Sequence, residues 1–386
     1  MAGQLKIAAI RMNARPAPVA GRLERAESLV AEAASTGAQL IVLPEVFNIG
    51  YEYHDNNYTL PEPEDGPTVT WMKAQAKQHG AHIAGSLFLV DGSNIFNSQI
   101  LVAPDGRLWR YDKNYPWLFE RAYFKDGQDI TVADTDLGRI GMMVCWDYAH
   151  QELWQRYAGK VDMMVVTSSP PRYTRFTVVM PDGSKVDSRS LGPLINKGYY
   201  GPDEPFGADF DEQVGWMGVP AVNTTGGGEF RSHFPIARTA MFFYTIMRPD
   251  LWRHLRHASE AEIVTDYYAQ TKIVDAQGEV LSRVHEEQQE GFTVAEVELA
   301  DVLPAPDMEA QPDIPFAASS YFFMDVFGPA RVEKYYRQGV RQQWGQRMAP
   351  FKRSYRWHII IGLGILSIVA ALLRFLGRLT AGRNDS

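Results

Sequence analysis

Gly141-Met142-Met143-Val144-Cys145-Trp146-Asp147 ends an apolar run on the only cysteine of a 386-residue chain. The run predicts a buried strand over Arg139–Val144 with the thiol just past its end, where α/β proteins build their sites. By itself this is weak, because a free cysteine usually packs as a small hydrophobe. Two other segments repeat the pattern. Ile41-Val42-Leu43-Pro44-Glu45 puts a carboxylate after a short apolar run, and Tyr111-Asp112-Lys113 precedes Glu120 by seven residues.

Around these segments, short β-type runs (Leu5–Ile10, Gln39–Leu43, His82–Val90, Ser98–Val102, Asp162–Val166) mix with helical stretches. Val19–Ser35 is rich in Ala and Glu and stops before Gly37, and Pro67–Gln78 opens on proline and stops at His79-Gly80. Asp91-Gly92 and Pro104-Asp105-Gly106 are turn signals between successive strands. Helix-linked strands followed by hairpins predict an α/β protein with a mixed sheet.

One thiol, one cation and two carboxylates suit a single chemistry. A thiol attacks a carbonyl or nitrile carbon as thiolate, so it needs a base or a cation nearby. A buried carboxylate with a like charge beside it has a raised pKa, can take that proton, and can later return it to a leaving amine. A lysine supplies charge where an oxyanion develops. This assigns Cys145 as nucleophile, Glu45 as base, Lys113 as electrophilic partner and Glu120 as the acid that orients Lys113. The nine histidines show neither HxH nor HxxxH spacing, so no metal and no cofactor are expected.

These residues resemble the nitrilase superfamily, the carbon–nitrogen hydrolases. Leu43-Pro44-Glu45, Tyr111-Asp112-Lys113 and Cys145-Trp146-Asp147 are similar, in order, to its three signatures, and Phe119–Gly127 to the segment carrying its second glutamate. The resemblance runs over about residues 4–300 and implies a four-layer α-β-β-α sandwich that usually dimerises. It implies that the Trp146 backbone N–H joins Lys113 in an oxyanion hole, and that Asn223 sits near the substrate. Glu152 and Asp275–Leu281 fit later family segments, whereas His150-Gln151 replace the usual aromatic-Pro pair. Asp147, two residues past the nucleophile, resembles amidases and carbamoylases more than nitrilases. Amide or N-carbamoyl hydrolysis is therefore expected, with nitrile hydrolysis, acyl transfer to an amine or lipid, and a non-catalytic scaffold as alternatives.

The remainder organises as a hydrolase domain over 1–300, a Pro-rich then basic extension over 301–356, an apolar helix over 357–376 and a polar tail over 377–386. Residues 171–215 and 230–265 are long excursions, either pocket walls or surface decoration, with a short helix near Phe210–Met217. A second, basic helix is expected over Phe327–Arg347. Ile359–Leu373 is free of charge. Extended to Trp357–Leu376 it is about 30 Å of helix, which predicts a membrane-inserted segment. Residues 331–356 hold eight Lys/Arg against one Glu, an excess that places the body on the cytoplasmic side. The net charge of −8 hides +9 over 331–386 and −17 before it, so the body is no nucleic-acid binder. The expected partners are a small or lipid-like amide, a membrane and a second copy of the chain.

Overall fold

The computed structural model describes residues 3–92, 94–192, 195, 205–316 and 318–344. In chain order, β1 (Gln4–Asn13), α1 (Val19–Ser35), β2 (Leu40–Val42), α2 (Pro67–His79), β3 (His82–Asp91), β4 (Asn94–Val102) and β5 (Leu108–Asp112) form the first half. β6 (Val132–Thr135), β7 (Gly138–Val144), α3 (Gln151–Tyr157), β8 (Met163–Thr167), β9 (Thr177–Val179), β10 (Lys185–Asp187), α4 (Ala208–Met217), β11 (Ala221–Thr224), β12 (Gly226–Gly227), β13 (Glu229–His233) and α5 (Ala237–Tyr244) follow. β14 (Glu262–Asp266), β15 (Lys272–Val274), β16 (Val280–Arg283), β17 (Gly291–Glu298), α6 (Ala318–Tyr321) and α7 (Gly328–Trp344) complete the order.

Two mixed sheets stack face to face. One runs β12-β1-β2-β3-β4-β5 with β17 also paired to β1, and the other runs β16-β15-β11-β8-β7-β6. Strand alternation shows why four layers form. In β1, Leu5, Ile7 and Ala9 join the core shared with Met142 and Val144 of the opposing sheet, while Ala8, Ile10 and Met12 turn to Ala26 and Val30 of α1 and Met72 of α2. Both faces are apolar, so each sheet needs cover on both sides. Each large aliphatic side chain so buried contributes about 1.5–3 kcal/mol. α3 and α4 cover the second sheet through Trp154 and Phe210. This is the predicted α-β-β-α sandwich. Gly80 ends α2 with φ +61°, the left-handed stop that His79-Gly80 signalled.

The excursions are less formless than their weak periodicity implied. β9 from one pairs with β14 from the other, with β10 and β13 on the outer sides, giving a third sheet of order β10-β9-β14-β13. Three-residue strands are too short to show alternation.

The basic helix begins at Gly328, one residue later than predicted, and is docked on the body. Val332, Tyr336 and Val340, four residues apart, form its buried face. The Tyr336 hydroxyl accepts from the Ile95 N–H at 3.1 Å, and the Tyr335 hydroxyl donates to Asp55 at 3.0 Å. No helix among the described residues is long and apolar enough to cross a membrane. The predicted segment 357–376 lies outside the described residues.

Candidate active site

The ends of β2, β5 and β7 converge, bringing together Glu45, Lys113 and Cys145. Glu45 and Lys113 are buried at 1% and 0% exposure, as is Glu120 at 1%, on the 3-10 turn Leu118–Ala122. Lys113 Nζ lies between the two acids, donating to Glu45 Oε1 at 2.9 Å and Glu120 Oε2 at 2.7 Å. Glu120 is otherwise committed: Oε2 also accepts from the Trp117 N–H at 2.6 Å, and Oε1 from the Tyr51 hydroxyl. That leaves it to position Lys113. Glu45 differs. Oε1 accepts a second bond from Asn97 Nδ2 at 2.8 Å, while Oε2 is buried without a partner.

Burial, reinforced by the Glu120 charge and opposed by Lys113, raises the Glu45 carboxyl to about 7. Burial alone would lower the Lys113 ammonium, but the two carboxylates outweigh it and hold it above its ordinary value. The Cys145 thiol is pushed well up by burial and by Glu45, against the pull of Lys113 and a hydrogen bond from the Ser169 backbone. Burial and the Glu45 charge thus disfavour a standing thiolate in the resting site.

The turn after the nucleophile is held from beneath. Cys145 has φ +49°, a conformation side chains disfavour. Asp147 fixes the turn by accepting from the Val144 N–H at 3.0 Å, the Tyr115 N–H at 2.7 Å and the Tyr111 hydroxyl at 2.7 Å. Both its oxygens are engaged in these bonds and it is not among the described residues that line the pocket, so Asp147 acts on the reaction through the turn. Val46, Leu118 and Phe206 also have positive φ, so four of the five such non-glycine residues described border the site.

Asn223, expected near substrate, lies instead within β11. Its Oδ1 accepts from Ser168 Oγ at 3.0 Å and its Nδ2 donates to the Gln270 carbonyl at 2.8 Å, so both ends of the amide are spent bracing strand ends. Trp146 turns its ring to the pocket and donates Nε1 to Asp325 at 3.2 Å. Glu152 accepts from the Tyr115 hydroxyl, and Tyr115 stacks on His150 with ring centroids 3.5 Å apart.

Cys145 opens into a pocket walled by aromatic rings. Trp117 stacks on Tyr173 at 4.6 Å, Tyr148 stacks on Phe206 at 3.9 Å, and Tyr51 adds a hydroxyl-bearing edge. Tyr173 and Phe206 come from the first excursion, which is thus a pocket wall. The described lining includes no residue of the second excursion. Four contributors were not anticipated: Asn97, Tyr51, Ser168 and Ser169. Ser169 Oγ donates to the Glu45 carbonyl at 3.1 Å, and Ser168 accepts the Glu45 N–H at 3.3 Å, tying the base to the end of β8. Asn97 did carry a signal, opening a polar stretch with Ser98 and Gln99 between Ile95-Phe96 and Ile100-Leu101-Val102 of one strand. No group of three or more potential metal ligands occurs among the described residues.

Residues 6–180 match the carbon–nitrogen hydrolase family. The chain is 31% identical over 153 residues to a nitrilase of Pyrococcus abyssi, covering 38% of this chain and 58% of that protein. It is 28% identical over 174 residues to an aliphatic nitrilase of Rhodococcus rhodochrous, covering 40% and 46%. The chain thus spans about half the length of the curated relatives it matches. In fold it is similar to Nit3 of Saccharomyces cerevisiae, a member of branch 10 of the nitrilase superfamily, with TM-score 0.54, 19% identity and 76% and 90% of the two chains covered. It is likewise similar to the amidase from Nesterenkonia sp. AN1 in complex with acrylamide, with TM-score 0.53, 15% identity and 77% and 91% covered. The family match covers less than half of the 386 residues, and the likenesses to solved structures show a nitrilase-like α/β fold.

Proposed function

We propose that the chain hydrolyses a non-peptide carbon–nitrogen bond, an amide or N-carbamoyl group, through a thioester on Cys145. The observation that carries this reading is the unpartnered Glu45 Oε2 in the buried Glu45–Lys113–Glu120 relay beside the sole thiol. Glu45 takes the thiol proton as sulfur attacks the carbonyl carbon. Negative charge gathers on the oxygen, toward the Lys113 ammonium and the Trp146 backbone N–H. The protonated Glu45 gives its proton to the departing nitrogen as the C–N bond breaks, leaving the thioester. Glu45 then deprotonates a water, the water oxygen adds to the thioester carbon, and the C–S bond breaks with the acid as product. Sulfur recovers its proton from Glu45.

Nitrile hydrolysis is the second reading, favoured by the nitrilases among the relatives. It uses the same nucleophile and relay, with water added to a thioimidate. A panel of amides, N-carbamoyl compounds and nitriles with ammonia detection, run on wild type and Cys145→Ala, tests both. An acyl adduct on wild type by intact mass, absent from Cys145→Ala, is the expected result. Equal turnover by the two proteins overturns the proposal.

We propose further that residues 357–376 anchor the body at a membrane from its cytoplasmic side, and that the body pairs with a second copy. The supports are the apolar run and the basic excess over 331–356 for the anchor, and the superfamily resemblance for pairing. Membrane fractionation of the full chain beside a truncation after Pro350, with sedimentation of the truncated body, tests both; full-length protein in the soluble fraction, or a monomer, refutes the respective part.

A further inference from the structure

The pocket is completed by residues far outside the family-matched segment. Phe316, Ser320 and Met324, from the C-terminal extension, line it together with Cys145. Phe316 stands edge-on to Trp146, the residue after the nucleophile, at 4.8 Å. Asp325 pins this segment to the nucleophile's own turn. Its Oδ1 accepts from Trp146 Nε1 at 3.2 Å and Arg121 Nη2 at 3.3 Å, and its Oδ2 lies 3.1 Å from His150 Nε2. The Tyr321 hydroxyl donates to the Ala149 carbonyl at 2.6 Å. His150, at odds with the superfamily pattern, thus has a partner that the extension supplies.

The chemistry of the walls is one-sided. No Asp, Glu, Lys, Arg or His is found among the described residues that line the pocket. Arg172, adjoining Pro171 and Tyr173 of the lining, is committed elsewhere: it pairs with Glu286 at 2.9 Å and lies over the ring of Tyr268, itself a lining residue, at 5.0 Å. A charged group entering such a slot loses water and meets no counter-ion among the described lining residues.

We infer that the segment Phe316–Asp325 is an intramolecular specificity wall, closing the Cys145 pocket so that it takes substrates whose acyl side is uncharged and apolar. This rests on Cys145 being the reacting group of the proposed function, but selection by the wall can be measured without turnover. Because Cys145 is the only cysteine, intact mass reports its alkylation unambiguously. The full chain is treated with iodoacetamide, with N-benzyl iodoacetamide and with the same benzyl probe bearing a para-carboxylate.

For wild type, the neutral benzyl probe is expected to react roughly 30-fold faster than its carboxylate, the discrimination expected of an unpaired charge in an apolar site. In Phe316→Ala the preference for the benzyl probe over iodoacetamide should fall by about tenfold, and Phe316→Leu should restore part of it. Equal rates for the neutral and charged probes on wild type overturn the inference, and that comparison needs no variant. An unchanged benzyl preference in a folded Phe316→Ala overturns it equally. If the probes behave as expected while no amide, carbamoyl compound or nitrile is turned over, the proposed reaction falls and the wall stands. Turnover without neutral preference has the converse meaning.

Discussion

Replacing Glu120 with glutamine separates positioning from chemistry. The amide keeps the shape and still accepts from the Trp117 N–H, but Lys113 loses one of its two buried counter-charges, the one at 2.7 Å. A hydrogen bond to a charged group contributes about 1.5–3 kcal/mol, so if that loss falls on the transition state, kcat/KM drops about 10- to 150-fold. The pH profile carries the sharper test. Glu120 is among the causes that raise Glu45 to about 7. A base must be ionised to act, so wild-type kcat/KM rises with pH through that region. Removing the like charge lets Glu45 ionise more easily, and the acidic limb moves to lower pH. The assay is kcat/KM from pH 5 to 9 on the fastest amide or nitrile of the panel, for wild type and Glu120→Gln. An acidic limb that stays in place, or a loss under threefold, refutes the assignment of Glu120 as the group that holds Lys113 and tunes Glu45.

Three other perturbations follow from the same geometry. Lys113→Met leaves Glu45 and Glu120 as buried like charges; turnover should fall on the order of 10²–10³-fold, and urea denaturation should show a stability loss of about 3–5 kcal/mol. Gly127→Ala puts a Cβ 2.1 Å from the Asp112 carbonyl oxygen and 2.7 Å from Asn114 Oδ1, beside Lys113, so thermal unfolding should report a loss of about 1–3 kcal/mol. Asp325→Ala removes the acceptor shared by Trp146 and Arg121, although Arg121 keeps Asp126 at 2.8 Å. Hydrogen exchange over 314–327 should then speed up by at least about tenfold, one broken charged contact's worth of local stability.

How much of this was readable in advance depends on the distance over which each contact acts. Glu45 and Cys145 each follow an apolar strand, so local pattern put them at strand ends, whereas Lys113 follows the mixed strand Leu108–Asp112, and the carboxylate–lysine–thiol chemistry grouped the three. β1 and β2, buried on both faces, declared themselves by composition. The third sheet was not legible, because β9 and β14 are separated by more than 80 residues and β9 is too short for a period to show. The family resemblance implied that Asn223 sits near the substrate, but the structure uses its amide to join the end of β8 to the segment before β15. The wall at Phe316–Asp325 was the least accessible. Its signal is the mismatch at His150, whose explanation lies 175 residues further on.

The resting proton arrangement yields the last prediction. Reactive cysteines are commonly treated as standing thiolates, and such a thiol alkylates readily well below pH 8.5. Here burial and the Glu45 charge push the Cys145 proton the other way. The thiolate then forms only by passing that proton to Glu45, whose Oε2 is the buried oxygen left open to receive it. Thiol with ionised Glu45, and thiolate with protonated Glu45, carry the same number of protons. Both are reached from the fully protonated site by losing one proton, and Glu45, raised to about 7, sets where that happens. Iodoacetamide labelling of wild type should therefore climb with pH through about 7 and then level. In Glu45→Gln no internal acceptor exists, and the proton must leave for solvent from a group whose ordinary pKa is about 8.5 and which burial raises further. Labelling of that variant should be slow at neutral pH and still rising at pH 9. Superimposable pH curves for the two proteins would show that Glu45 does not receive the thiol proton, and the relay would lose its base.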